Sequence, residues 1–130
     1  MTWVEIFAAF VVSHLVGDYL LQTDWQARHK RGGLTGEGVQ RRALLSHVSL
    51  YTAVFVPALV WLEDGLGAGV VWVAALIFLP HMVQDDGRVV SWFLFSVKGT
   101  DDQTAAEIYT PVDQSLHVVT LFAIALVAGA

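Results

Sequence analysis

Four apolar stretches constrain this chain more than any other feature. Residues 3–22, 43–62, 67–84 and 111–130 each approach the ~20 apolar residues a helix needs to cross a hydrocarbon core. Hydrocarbon leaves no partner for an open backbone N–H or C=O, so such stretches become helices. The expectation is an all-α, single-domain integral membrane four-helix bundle over residues 1–130. Composition agrees. The chain is 55% hydrophobic and 15% charged, with mean hydropathy +0.58, against about 25% charge in soluble domains. A net charge of −5 excludes nucleic acid as a main partner. With no cysteine, disulfides and thiolate metal ligands are excluded. The N-terminus lacks a basic region and a small-residue cleavage site, so the first apolar segment is expected to be retained.

The basic residues give direction. Arg28, Lys30, Arg31, Arg41 and Arg42 fall between the first and second stretches; Arg88 and Lys98 fall between the third and fourth. In a four-span chain both loops emerge on one side, and the positive-inside rule makes that side cytoplasmic. Both termini and the short EDGL turn then face outward, in a multi-pass protein of the cytoplasmic membrane. Trp3, Trp25, Trp61 and Trp92 lie near predicted boundaries, where an aromatic belt belongs; Trp72 fits less well. The segment VVSWFLFSVK is too short to span and is expected either to lie in the interface or to extend the third helix.

Four of the five histidines sit one per helix: His14, His47, His81 and His117. Three carry an aspartate at helical spacing, as His14-x3-Asp18, His81-x3-Asp85 and the reversed Asp113-x3-His117. Residues four apart share a helix face. Helices one and three run toward the cytoplasm and helix four runs away, so the reversal puts every aspartate shallower than its histidine. At ~1.5 Å per residue the whole set lies within about 12 Å of the cytoplasmic helix ends. An aspartate at a membrane helix centre costs about 2.5–3.5 kcal/mol, less near the interface. No buried lysine or arginine is evident to pair with these carboxylates. A divalent cation would satisfy carboxylates and imidazoles together, and bundle interiors commonly host such sites.

Structural readings stand beside these. Thr110-Pro111-Val112-Asp113 reads as a helix start with proline at the first position, so Asp113 could simply cap it. Asp85 falls at a helix C-terminus, where an acid is unfavourable. Asp18 has no capping role, and His47 taken alone would be an interior histidine. Ala9, Ser13 and Gly17 form a small-residue stripe suited to close helix packing. His29 belongs to the solvated basic loop. Gln22 and Gln114 flank the acids as donors behind them or as polar helix ends.

The motifs H-x3-D-Y-L-L-Q-T-D-W, a lone histidine in helix two, H-x3-D, and D-Q-x2-H near the C-terminus resemble a domain-of-unknown-function family of small bacterial and phage membrane proteins. The resemblance covers nearly the whole chain and implies the membrane fold and the polar site. A looser similarity is to membrane-bound metal-dependent hydrolases. Asp85-Asp86-Gly87 departs from the expected helical continuation with a lysine soon after, a part Lys98 would play later. Either Asp85 or Asp86 is then the inward acid.

The expected metal ligands are thus His14, Asp18, His47, His81, Asp85, Asp113 and His117, holding one or two divalent ions. Zinc is the foremost candidate, with iron, manganese or cobalt as alternatives. Asp18 and Asp85 are the candidate catalytic carboxylates, and Arg41 and Arg42 are candidates for an anionic lipid headgroup or mere topology anchors. The leading expectation is a metal-dependent hydrolase acting on a lipid or lipid-linked substrate. The alternatives are an ion or proton transporter, which would need a homodimer, and a non-catalytic metal-stabilised scaffold.

Overall fold

Thr2 opens the first helix with a capping box. Its hydroxyl accepts from the Glu5 N–H, and the Glu5 carboxylate accepts from the Thr2 N–H at 2.7 Å. The computed structural model describes residues 1–130 and contains helices without strands. Helix α1 (Trp3–Leu15) runs into a π turn at Val16–Leu20, closed by the Leu21 N–H on the Val16 carbonyl at 2.9 Å. A second capping box, Thr23 with Gln26, starts the short α2 (Asp24–His29). Helices α3 (Val39–Val54) and α4 (Val56–Leu66) follow one path, interrupted at Phe55 just before Pro57, which has no N–H to give the ladder. Gly67, at φ 52, then lets the chain turn back into α5 (Val70–Asp85).

Three helical stretches are long and apolar enough to cross a membrane: Trp3–Leu20, Val56–Asp85 and Asp102–Ala128. The middle one is bent at Gly67. Across it, α5 runs antiparallel to α3: His47 meets Asp85, and one turn on, Tyr51 meets His81. The same logic orients α1 against α3, through Phe10 with Phe55, His14 with Tyr51, and Asp18 with His47. Each step of four forward on one helix is a step of four back on the other. Helix α7 (Asp102–Ala128) lies antiparallel to α1, with Trp3 on Phe122, His14 on His117 and Asp18 on Gln114.

The buried stripes change character along their length. On α1 the stripe reads Ile6, Phe10, His14, Asp18; on α5 it reads Val73, Ile77, His81, Asp85. On α7 it runs backwards, from Asp113 and His117 to Leu121 and Ala125. The apolar halves pack into one core with Tyr51, Phe55, Ala58 and Leu62. The polar halves meet at the other end. Gly17 permits the approach on the α1 side, since a Cβ there would fall 2.7 Å from the Tyr51 ring.

Two local expectations change, and one of two alternatives is removed for a third segment. Helix α7 begins at Asp102, capped by Asp101, whose carboxylate accepts the Thr104 N–H at 2.7 Å and is held below the usual range by it. Pro111 therefore lies inside a helix, and Asp113 caps nothing. The second apolar stretch begins earlier, at Val39, and breaks at Phe55. The VVSWFLFSVK segment does not extend α5, because Gly87 (φ 87) ends it. That segment forms its own helix α6 (Arg88–Trp92) and a π turn, Phe93–Val97. Its Val90 and Leu94 pack on Ala105 of α7, while Trp92 and Phe95 stay exposed.

Candidate metal centre

Asp18 sits in the π turn that ends α1, His47 on α3, and His81 and Asp85 one turn apart at the end of α5. Their donor atoms converge. His47 Nε2 lies 3.2 Å from Asp18 Oδ1 and 2.8 Å from Asp85 Oδ2. His81 Nε2 lies 3.2 Å from His47 Nε2, 3.5 Å from Asp18 Oδ1 and 3.2 Å from Asp85 Oδ2. All four residues are buried, and one ligand atom from each lies within 4.8 Å of the others. Donors 2.0–2.1 Å from a tetrahedral centre stand about 3.3 Å from one another. The measured spacings match that figure, so this group could hold a metal ion.

A second group adjoins it, made of Asp85, Asp113 and His117. His117 Nε2 lies 3.4 Å from Asp85 Oδ1, so the two oxygens of one carboxylate serve the two groups. His117 Nδ1 is 2.7 Å from the Asp113 carbonyl, which can only accept. A proton is therefore on Nδ1, which leaves Nε2 as the nitrogen that could ligate an ion. Asp18 Oδ1, Asp85 Oδ1, Asp113 Oδ1 and His117 Nε2 are all buried without a hydrogen-bond partner. Orphaned acceptors of this kind are costly in a dry interior, and a cation would suit them all. Nδ1 of His47 and of His81 also lack partners.

His14 does not join either group. Its Nδ1 is hydrogen-bonded with the Tyr51 hydroxyl at 3.0 Å, and its ring stacks near His117. Tyr51 also lies flat on His81, 3.5 Å between ring centres, so His14 and Tyr51 together brace the ring of a candidate ligand. Gln114 donates to both Asp18 Oδ2 and Asp113 Oδ2 at 3.3 Å. Of the two acids ending α5, Asp85 faces the centre. Asp86 instead clasps the loop, accepting the Leu34 N–H at 2.8 Å and pairing with Arg88 at 2.9 Å.

A half-buried cation is present that sequence reasoning missed. Lys30 Nζ lies 2.8 Å from Asp85 Oδ2 and 2.7 Å from Gln22 Oε1, with its side chain only 12% exposed. Gln22 thus acts on the lysine and not on the acids. Lys98, expected as the lysine after the α5 motif, is exposed. Lys30 is positioned by α2, which packs on α3 through Gln26 and Ser46. Spacing along the chain could not reveal it, because it enters from a loop. The unbalanced carboxylates were the one signal that a cation was needed.

Above the centre opens a cavity of 220 Å³, lined by Asp18, Asp85, Asp113, Gln114, Lys30 and Arg31 among others. Arg31 is held at its edge by stacking over Tyr109, 3.7 Å to the ring centre. Arg41 and Arg42 are exposed on the first turn of α3 and do not line it. The basic groups facing the cavity come from α2 and its following loop, because that segment folds over the end of the helices. His29 is exposed, on the Trp25 carbonyl.

Residues 6–130 match the model of a family described as "Protein of unknown function (DUF3307)". No curated protein and no solved structure matches the chain.

Proposed function

The chain belongs to the DUF3307 family, whose description assigns no activity, and we propose from its own geometry that it is a membrane-embedded, metal-dependent hydrolase of a lipid or lipid-linked ester. In this reading α1, α3 with α4, α5 and α7 form an up-down-up-down transmembrane bundle. The two basic loops lie on the cytoplasmic side of the cytoplasmic membrane, with both termini opposite.

Asp18, His47, His81 and Asp85 would hold one ion, and Asp85, Asp113 and His117 would contribute to a second beside it. A nitrogen and oxygen donor set without sulfur suits zinc first, then iron or manganese. When bound, such an ion would supply an activated water at neutral pH. The chain's own groups supply the rest. Asp113, a member of the second group, also lines the cavity, so its loss would empty that group on the side where substrate enters. Lys30 and Arg31 bring positive charge to the side where an anionic headgroup would enter. The apolar core beyond Tyr51 keeps water from the far half.

The observation that carries the reading is the convergence of four donor atoms from three helices beneath an open polar cavity. The sealed far half favours hydrolysis over transport, which needs a polar route through. The test is a headgroup-release screen on detergent-purified protein loaded with zinc, manganese or iron, wild type beside Asp113→Asn. Release that depends on metal and is lost in the variant is the expected result. Bound metal with no release from any phospholipid or lipid-linked ester would contradict it.

A further inference from the structure

A second cavity lies beside the first and has the opposite character. It is a groove of 400 Å³ on the outer face between α1 and α7, walled by Val11, Leu15, Val118 and Val119. At its inner end are His14, Tyr19 and Gln114. Tyr19 and Gln114 also line the polar cavity over the candidate metal centre. The two spaces therefore adjoin, one apolar and open to the side, the other polar and carrying Lys30 and Arg31. From Val11 to Tyr19 the groove follows about 12 Å of helix, running from the apolar middle of the molecule to the level of Asp18.

We propose that this pair of cavities is the binding site of an anionic phospholipid, with one acyl chain in the α1/α7 groove and the phosphate beside Lys30 and Arg31. Three features of the site select that occupant. The groove wall is aliphatic and laterally open, so it takes a chain from the bilayer without desolvating polar groups. Arg31 presents a fork that phosphate oxygens accept, and Lys30, paired with Asp85 and Gln22, adds positive charge against the carboxylates of Asp18, Asp85 and Asp113. The Tyr109 face that a quaternary ammonium would seek is already covered by Arg31. Gln114, standing between the cavities and donating to Asp18 and Asp113, would lie at the junction of chain and headgroup. The inference names the substrate class for the proposed hydrolase, but its own content is a binding site and is testable without turnover.

The experiment places the full chain in nanodiscs containing phosphatidylglycerol with a diazirine on one acyl chain, and maps the photolabelled residues by mass spectrometry. Labelling should concentrate several-fold on Val11, Leu15, Val118 and Val119 relative to Val60, Val71 and Val83, which are exposed elsewhere on the apolar surface. It should fall when Ser115→Trp or Val119→Trp fills the groove. A Lys30→Met/Arg31→Met double variant should reduce it to the level given by a phosphatidylcholine probe. Even labelling of all exposed apolar positions would overturn the proposal, as would equal groove labelling by the two probes in wild type. Metal content measured on the same samples separates the two readings. Concentrated labelling on metal-free protein would keep the lipid site and remove the hydrolase.

Discussion

The Nε2 atoms of His47 and His81 face each other at 3.2 Å, and both also face Asp85 Oδ2, at 2.8 and 3.2 Å. A proton between the two imidazoles makes one hydrogen bond, and Lys30 supplies another to Asp85 Oδ2 at 2.8 Å, which leaves Asp18 Oδ1 and Asp85 Oδ1 without a partner. A cation at the middle of these atoms satisfies them together. The arrangement therefore has the geometry of a group that could hold a metal ion.

Asp85 is shared by both groups, so its loss should empty both. Asp85→Asn is expected to lower metal affinity by more than the about 10–100-fold typical of changing a ligand's outer partner. Asp113→Asn should leave the first group able to bind. His14→Ala should fall within that 10–100-fold range, because His14 braces Tyr51 and does not face the centre. Isothermal titration with zinc on chelator-stripped protein distinguishes the three.

Lys30 and a metal compete for the same carboxylate oxygen. Lys30→Met should destabilise the metal-free protein by about 3 kcal/mol, since a buried carboxylate loses its pair. The same change should tighten metal binding, by removing a positive neighbour. Thermal unfolding in detergent should therefore show a larger metal-induced rise in Tm for the variant than for wild type. An equal rise would mean that Lys30 and the ion do not share Asp85.

Gly17 is the close-approach point of α1 and α3. Gly17→Ala would push a methyl group to 2.7 Å from the Tyr51 ring, which also braces His14 and His81. An overpacking cost of about 1–3 kcal/mol is expected, with weakened metal binding as Tyr51 shifts. Ala9→Val on the same stripe, where the residue is only partly buried, should cost less. Chemical denaturation of the two variants checks the order.

The chain has no cysteine, so single cysteines report topology directly. Lys98→Cys should be labelled by a membrane-impermeant maleimide only after the cytoplasmic side is exposed. Asp64→Cys, at the end of α4 (the expected EDGL turn is helical, and the chain turns at Gly67–Gly69), should be labelled in intact cells. The same accessibility for both would remove the proposed bundle orientation.

Much of this was readable from the order of residues, for definite reasons. The H-x3-D and D-x3-H spacings put side chains on one helix face whatever the surroundings, and the reversal on α7 follows from the alternation of direction. That brought Asp18, His47, His81, Asp85, Asp113 and His117 to one depth, and the structure has them side by side. What could not be read depends on contacts made far along the chain. Lys30 reaches Asp85 across 55 residues, from a loop whose charge reads equally well as a topology anchor. His14 has the same spacing as the others, but the Tyr51 hydroxyl engages it, and no pattern separates a ligand from its brace. The Pro111 turn looked like a helix start because proline favours that position. Asp101, nine residues earlier in effect, supplied the cap instead.

Metal content of the protein as isolated tests the centre most directly. Protein purified without chelators and measured by inductively coupled plasma mass spectrometry should carry about one to two divalent ions per chain, falling toward zero in Asp85→Asn. Wild-type protein that stays below about a tenth of an ion per chain, even after incubation with zinc, manganese and iron, would show that these aspartates and histidines are not a metal site.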